Sequence, residues 1–121
     1  MKYLFSMLVA TILLTSCENQ NLNEKMSENS LSAKVAYGDK IVNKTVFESH
    51  YKMILFAMRK GQDLKPHSAP MDAPLFMLEG SAKVTIGDEE TVLSEGDIIT
   101  LPKDIKHGVY PLTDCKFLLI K

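Results

Sequence analysis

Two stretches of the sequence decide the fold: GQDLKPHSAPMDAPLFMLEG at residues 61–80 and GDIITLPKDIKHGVY at residues 96–110. Each begins at a glycine and contains a histidine, and short apolar runs alternate in them with turn-forming residues. The chain keeps this pattern from residue 35 onward, and no segment there holds a helical hydrophobic period for three turns. The sequence therefore predicts an all-β domain, a sandwich or barrel of short antiparallel strands.

Eight apolar runs are the candidate strands, at residues 45–47, 51–58, 75–79, 82–86, 91–93, 98–101, 109–110 and 116–120. The run at 82–86 alternates apolar and polar residues, which is typical of a strand with one buried and one solvent-facing side. Gly87 and Asp88 follow it directly, and such a pair favours a two-residue hairpin turn into the next strand.

The landmarks within the two stretches are spaced as in the two conserved motifs of the cupin family, and the chain resembles that family. Gly61 is followed after five residues by His67, and Gly80 closes the first motif. Pro102 and His107 stand at the separations of the second motif. The resemblance covers roughly residues 40–121. It implies a cupin-type antiparallel β-barrel (a double-stranded β-helix, jelly-roll-like) of the small single-domain kind.

The resemblance also implies a metal site of three histidines and one glutamate, of which this sequence keeps half. His67 and His107 occupy two positions, whereas the second histidine of the first motif falls at Ala69 and the glutamate at Ala73. Asp72 is the remaining candidate for a third ligand, although neighbours along an extended segment point to opposite sides. A tight zinc or copper site normally has three or four protein ligands.

Three roles remain open for His67 and His107. They bind a divalent metal ion completed by water or ligand, they hydrogen-bond a polar ligand without metal, or they are remnants of the family site. Met58, Leu75 and Met77 are candidates for the apolar wall that a small-molecule pocket needs. The favoured function is a small-molecule-binding barrel with a degenerate metal site. The alternative is a metal-dependent enzyme (a small oxygenase, isomerase or lyase) that uses the two histidines.

The N-terminal residues MKYLFSMLVATILLTSC predict export and lipid anchoring. Lys2 precedes an apolar run at residues 3–14. As a helix the run spans about 18 Å, short of the roughly 30 Å hydrocarbon core, so it is expected to be a signal peptide. The following Leu-Thr-Ser-Cys17 resembles the lipobox of bacterial lipoproteins. This resemblance implies lipid on Cys17 and a protein held at the cell envelope, on the periplasmic side or the outer surface.

Three segments are therefore expected: a signal peptide at 1–16, lipidated Cys17 with a flexible tether at 17–34, and the barrel at 35–121. The chain has 14 basic and 15 acidic side chains and a formal net charge of −1. It has no basic stripe to neutralise phosphates, so nucleic acid is not an expected partner. The expected partners are a small-molecule ligand, the membrane through the lipid anchor, and a second copy in a homodimer formed through an exposed sheet edge.

Overall fold

The structure is a computed structural model that describes residues 29–121. A short 3-10 helix at Ser32–Lys34 precedes nine strands in this part of the chain. The strands are β1 (Val42–Glu48), β2 (Lys52–Met58), β3 (Leu64–His67), β4 (Ala73–Glu79), β5 (Ser81–Ile86), β6 (Glu89–Ser94), β7 (Ile98–Leu101), β8 (His107–Pro111) and β9 (Cys115–Ile120).

The strands form two antiparallel sheets that face each other across the core. The five-stranded sheet has the order β1-β2-β9-β4-β7, and the four-stranded sheet has the order β3-β8-β5-β6. This architecture confirms the predicted all-β, cupin-type antiparallel barrel. No helix within residues 29–121 is long and apolar enough to cross a membrane.

Strand β3 is the element that the sequence does not predict. It contains one apolar residue, Leu64, and Pro66 lies within it. Proline cannot donate to a strand ladder and is tolerated mainly at sheet edges. β3 is such an edge strand, and its register with β8 shifts between Leu64 and His67. The sequence of β3 therefore does not specify a strand by itself, and the strand depends on pairing with β8.

The main core lies between the inner faces of the two sheets. Phe117 on β9 is 1 % exposed and stacks on Phe56 of β2, with ring centroids 4.9 Å apart. Burying a side chain of this size contributes about 1.5–3 kcal/mol. The buried members of this core are Met58, Ala73, Leu75, Met77, Ala82, Val84, Leu93, Leu101, Val109, Cys115 and Phe117.

The outer face of the five-stranded sheet carries a second, smaller apolar cluster. Leu55 and Ala57 on β2 and Leu118 on β9 are buried there against Val35, with Leu31 packed at the margin. Because β2 and β9 carry apolar side chains on both faces, both faces of these strands must be shielded from water. The chain that precedes β1 shields part of the outer face.

Polar contacts hold the same preceding chain in place. The Tyr37 hydroxyl donates to Glu79 Oε2 at 2.5 Å, and the Lys116 ammonium donates to the Ser32 carbonyl at 2.6 Å. Burial, together with the hydrogen bond to Glu79, raises the pKa of the Tyr37 phenol. Packing on the sheet thus includes the last residues of the segment 17–34. The expected signal peptide and Cys17 lie outside the described residues.

Gly80, between β4 and β5, is required by its surroundings. Its φ is +74°, and a Cβ atom there would overlap the carbonyl oxygen of Asp114. Gly61 also has a positive φ, of +95°, but a Cβ there would meet open space. The two glycines at the ends of the first motif therefore differ: Gly80 is needed for conformation and for space, Gly61 for conformation alone.

Candidate functional site

Strands β3 and β8 bring the two motif histidines together. His67 and His107 are directly paired across the two strands, so both side chains lie on the same face of the sheet. Their ring centroids are 4.8 Å apart, with the ring planes at 64°. Forty positions separate these residues in the sequence, and the two motifs meet at this pair.

A backbone carbonyl orients each imidazole. Nδ1 of His107 lies 3.3 Å from the carbonyl oxygen of Ile105, and Nδ1 of His67 lies 3.1 Å from that of Lys65. Because a carbonyl oxygen can only accept, Nδ1 carries the proton in the neutral rings and Nε2 keeps a lone pair. Neither Nε2 has a hydrogen-bond partner among the residues that the structure describes.

The two histidines differ in their environments. His107 is 5 % exposed, whereas the His67 side chain is exposed. Burial lowers the pKa of His107 below its usual value of 6.5. The neighbouring His67 lowers this pKa further, the hydrogen bond to Ile105 opposes the decrease, and the Lys121 ammonium has the smallest lowering effect. His107 is therefore a neutral imidazole at pH 7.

A cavity of about 80 Å³ opens beside the two rings. At 10–15 Å³ for each water-sized group, it holds roughly five to eight such groups. Its wall is mostly apolar, which suits a small organic molecule oriented by a few polar atoms. The lining residues are Phe56, Leu64, His67, Leu75, Leu101, His107, Val109, Phe117, Leu119 and Lys121.

Of the four other predicted site residues, one lines the cavity and three do not. Leu75 lines the cavity, whereas Met58 and Met77 are buried in the main core and do not line it. Asp72 lies in the turn before β4, where its Oδ1 accepts a hydrogen bond from the backbone N–H of Lys103 at 2.8 Å. The Asp72 carboxylate therefore connects the loop before β4 to the loop before β8 through a hydrogen bond.

Of the seven lining residues that the sequence interpretation missed, three lie on β9 or directly after it. Phe117, Leu119 and Lys121 alternate along the end of the chain, so the two-residue period of a strand places them on one face. Phe117 pairs with Phe56 across β2 and β9. The alternation is visible in the sequence, but the sequence does not show which strand pairs with β9.

The donors present do not fit a four-ligand metal site. Ala69 and Ala73 offer no ligand atom, and residues 29–121 contain no group of three or more His, Cys, Asp or Glu side chains placed to hold a metal ion. The Nδ1–carbonyl contacts of His67 and His107 are an arrangement common in metal-ligating histidines. Two imidazoles alone leave at least one further ligand to be supplied by solvent or by a bound molecule.

A family model described as a cupin domain matches residues 54–121, which is more than half of the chain. No curated protein matches the sequence.

Several solved structures share the fold. A conserved protein of unknown function from Streptococcus pyogenes has 32% identity and a TM-score of 0.64, with 69% of this chain and 75% of that chain covered. An RmlC-like cupin protein from Desulfovibrio desulfuricans has 31% identity and a TM-score of 0.67, with coverage of 76% and 91%. A cupin 2 conserved barrel domain protein from Leptotrichia buccalis has 32% identity and a TM-score of 0.70 over 74% of this chain, which spans 45% of that protein.

Proposed function

Because the chain belongs to the cupin family, we propose that it is a small-molecule-binding cupin, held at the cell envelope by lipid on Cys17, with a metal site reduced to two histidines. One observation carries the binding role: His67 and His107 border an apolar cavity, and each keeps an Nε2 lone pair without a partner among the described residues. A ligand that donates a hydrogen bond, such as a hydroxyl or an amide, satisfies one of these two atoms while its apolar part fills the cavity.

Binding of 1-hexanol to the full chain tests this role, followed through the NMR signals of the histidine rings. We expect the alcohol to shift the signals of His67 and His107. Leu119→Phe, which adds volume at the cavity wall, should abolish the shift. The matched control is Ile120→Phe, one residue further along β9, which adds the same ring on the outer face of the sheet. Unchanged ring signals, or equal binding by both variants, would contradict a ligand site in this cavity.

The lipid anchor is supported by the short apolar run, the small residues before Cys17 and the polar sequence after it. Cys17→Ser should move the protein from the membrane fraction to the soluble fraction, because a serine hydroxyl does not replace the thiol as the lipid acceptor. Cys115→Ala is the matched control, since Cys115 is buried in the barrel and its loss should leave the protein on membranes. Retention of Cys17→Ser on membranes would contradict the anchor.

The alternative function is a metal-dependent cupin enzyme, and the Nδ1–carbonyl contacts of the two histidines favour it. The chain's own contribution would be two neutral imidazole ligands, with His107 or His67 as the group that accepts a proton. The metal content of the untagged full chain separates the two functions. We expect well under one equivalent; one equivalent, lost in both His67→Ala and His107→Ala, would overturn the metal-free binding role and support the metal-dependent function instead.

A further inference from the structure

Each histidine of the pair stands at the end of a strand, directly beside a loop. The first loop, residues 68–72, follows His67 at the end of β3, and the second loop, residues 102–106, precedes His107 at the start of β8. Strand β3 gives His67 limited support, because it is a short edge strand with a register shift within it. A contact that fixes the two loops relative to each other therefore also restricts the two rings.

Two hydrogen bonds join these loops directly. Oδ1 of Asp72 in the first loop accepts from the backbone N–H of Lys103 in the second at 2.8 Å. The Ala69 carbonyl accepts from the backbone N–H of Asp104, also at 2.8 Å. Asp104 has a φ of +63°, in the left-handed region that residues other than glycine rarely adopt. Such a conformation persists where surrounding contacts fix it, and the two bonds reach the second loop at Asp104 and at the residue before it.

The second loop also carries the acceptor that orients the His107 ring. Nδ1 of His107 contacts the carbonyl of Ile105, the residue directly after Asp104. At the far end of the loop, the Lys106 carbonyl accepts from the backbone N–H of Gly87 at 2.8 Å. The position of the Ile105 carbonyl therefore depends on attachments on both sides of it, and Asp72 supplies one of them through its side chain.

We propose that Asp72 is a positioning residue, which holds the second loop against the first so that His67 and His107 stay paired without a metal ion between them. Asp72 acts on the rings through the loop and not as a third ligand. Its Oδ1 is engaged by the Lys103 N–H, and within residues 29–121 it forms no metal-holding group with the two histidines. The effect on ligand binding rests on the proposed function, whereas the effect on ring geometry is measured without a ligand.

Nuclear Overhauser effects (NOEs) between the two histidine rings test this role, in the full chain treated with a metal chelator and without ligand. Rings 4.8 Å apart give an NOE that falls steeply as they separate. The NOE between Phe56 and Phe117, whose ring centroids are 4.9 Å apart, is the reference for an intact core. We expect Asp72→Ala to weaken the histidine NOE relative to this reference. Asp72→Asn should restore it, because an amide oxygen accepts the same hydrogen bond without the charge.

Asp97→Ala is the matched control for a general loss of stability. Oδ2 of Asp97 accepts from the backbone N–H of Ser94 at 2.8 Å, in the turn at the end of β7 opposite to the second loop. The variant therefore removes the same kind of hydrogen bond at a distance from the two loops, and we expect an unchanged histidine NOE. The affinity for 1-hexanol should fall about threefold in Asp72→Ala and stay near the wild-type value in Asp72→Asn and Asp97→Ala.

The outcomes separate this inference from the proposed function. A histidine NOE that is absent from the wild type, unchanged in Asp72→Ala, or equally weakened in Asp72→Asn or Asp97→Ala would overturn the positioning role. The small-molecule site remains in each of these cases if 1-hexanol binds the wild type. If 1-hexanol does not bind the wild type, the small-molecule site is wrong, and the NOEs of the variants still decide the role of Asp72.

Discussion

The protonation of His107 provides a sensitive test of the site, because a buried, neutral imidazole with a pKa below 6.5 is expected there. The perturbation is a decrease in pH. The unfolded chain takes up the His107 proton near pH 6.5, whereas the folded chain takes it up only at lower pH. Between these two values the unfolded state binds more protons, so the free energy of unfolding falls as the pH decreases. The contribution of His107 to stability is fully present above pH 6.5.

The size of this effect follows from proton linkage. One proton taken up by the unfolded state alone changes the free energy of unfolding by at most about 1.4 kcal/mol for each pH unit. The decline ends at the folded-state pKa, below which both states hold the proton.

Urea unfolding of the wild type and of His107→Gln, between about pH 5 and 8, isolates the effect, because the difference between the two proteins removes the titration of other groups. We expect the wild type to lose stability relative to the variant as the pH falls below 6.5. In a His67→Gln background the trend should persist in weaker form, since burial is the larger cause of the lowered pKa and His67 the smaller. A stability difference independent of pH, or a wild type that gains stability relative to the variant as the pH decreases, would refute the description of His107 as a buried neutral ring.

Two further predictions concern the framework that positions the site. Gly80→Ala should lower the free energy of unfolding by about 2 kcal/mol or more, because the new Cβ meets the Asp114 carbonyl and the positive φ is strained. Gly61→Ala carries the conformational cost alone and should lose about 1 kcal/mol, so equal losses in urea unfolding would contradict the close contact at Gly80. Phe117→Ala removes the stacking partner of Phe56 and a wall of the cavity, and should cost about 3–5 kcal/mol. A loss below about 1 kcal/mol would show that Phe117 does not belong to the core.

Features that depend on local periodicity could be predicted from the sequence. The alternation at residues 82–86 and the following Gly87-Asp88 pair correspond to β5, its turn and β6, which are joined in a continuous register from Ser81 to Ile86. The approach of His67 to His107 follows from the spacing of the two motifs and from the fold that the spacing implies. A few neighbouring residues carry the signal for the hairpin, and the spacing within each motif carries the signal for the histidine pair.

Features that depend on long-range register could not be predicted in this way. Lys52 and Lys121 are opposite each other because the whole length of β2 pairs with β9, and no local pattern reports that alignment. Leu31 is an isolated apolar residue in a polar stretch, so its packing on the sheet depends on an apolar face formed by distant strands. β3 forms for the same reason, since β8 supplies the partner that its own sequence does not specify.

The nitrogen chemical shifts of the His67 and His107 rings, recorded on the full chain with and without 1-hexanol, show whether a small molecule binds beside the two histidines. We predict that Nδ1 carries the proton when either ring is neutral, and that the alcohol changes the Nε2 shift of at least one ring while the Nδ1 shifts stay nearly constant. The hydroxyl donates to a free Nε2 lone pair, whereas each Nδ1 remains hydrogen-bonded to its carbonyl, of Lys65 or of Ile105. If the Nε2 shifts do not change with the alcohol but reach saturation with one equivalent of zinc, the result would contradict a small-molecule site and identify a metal centre instead.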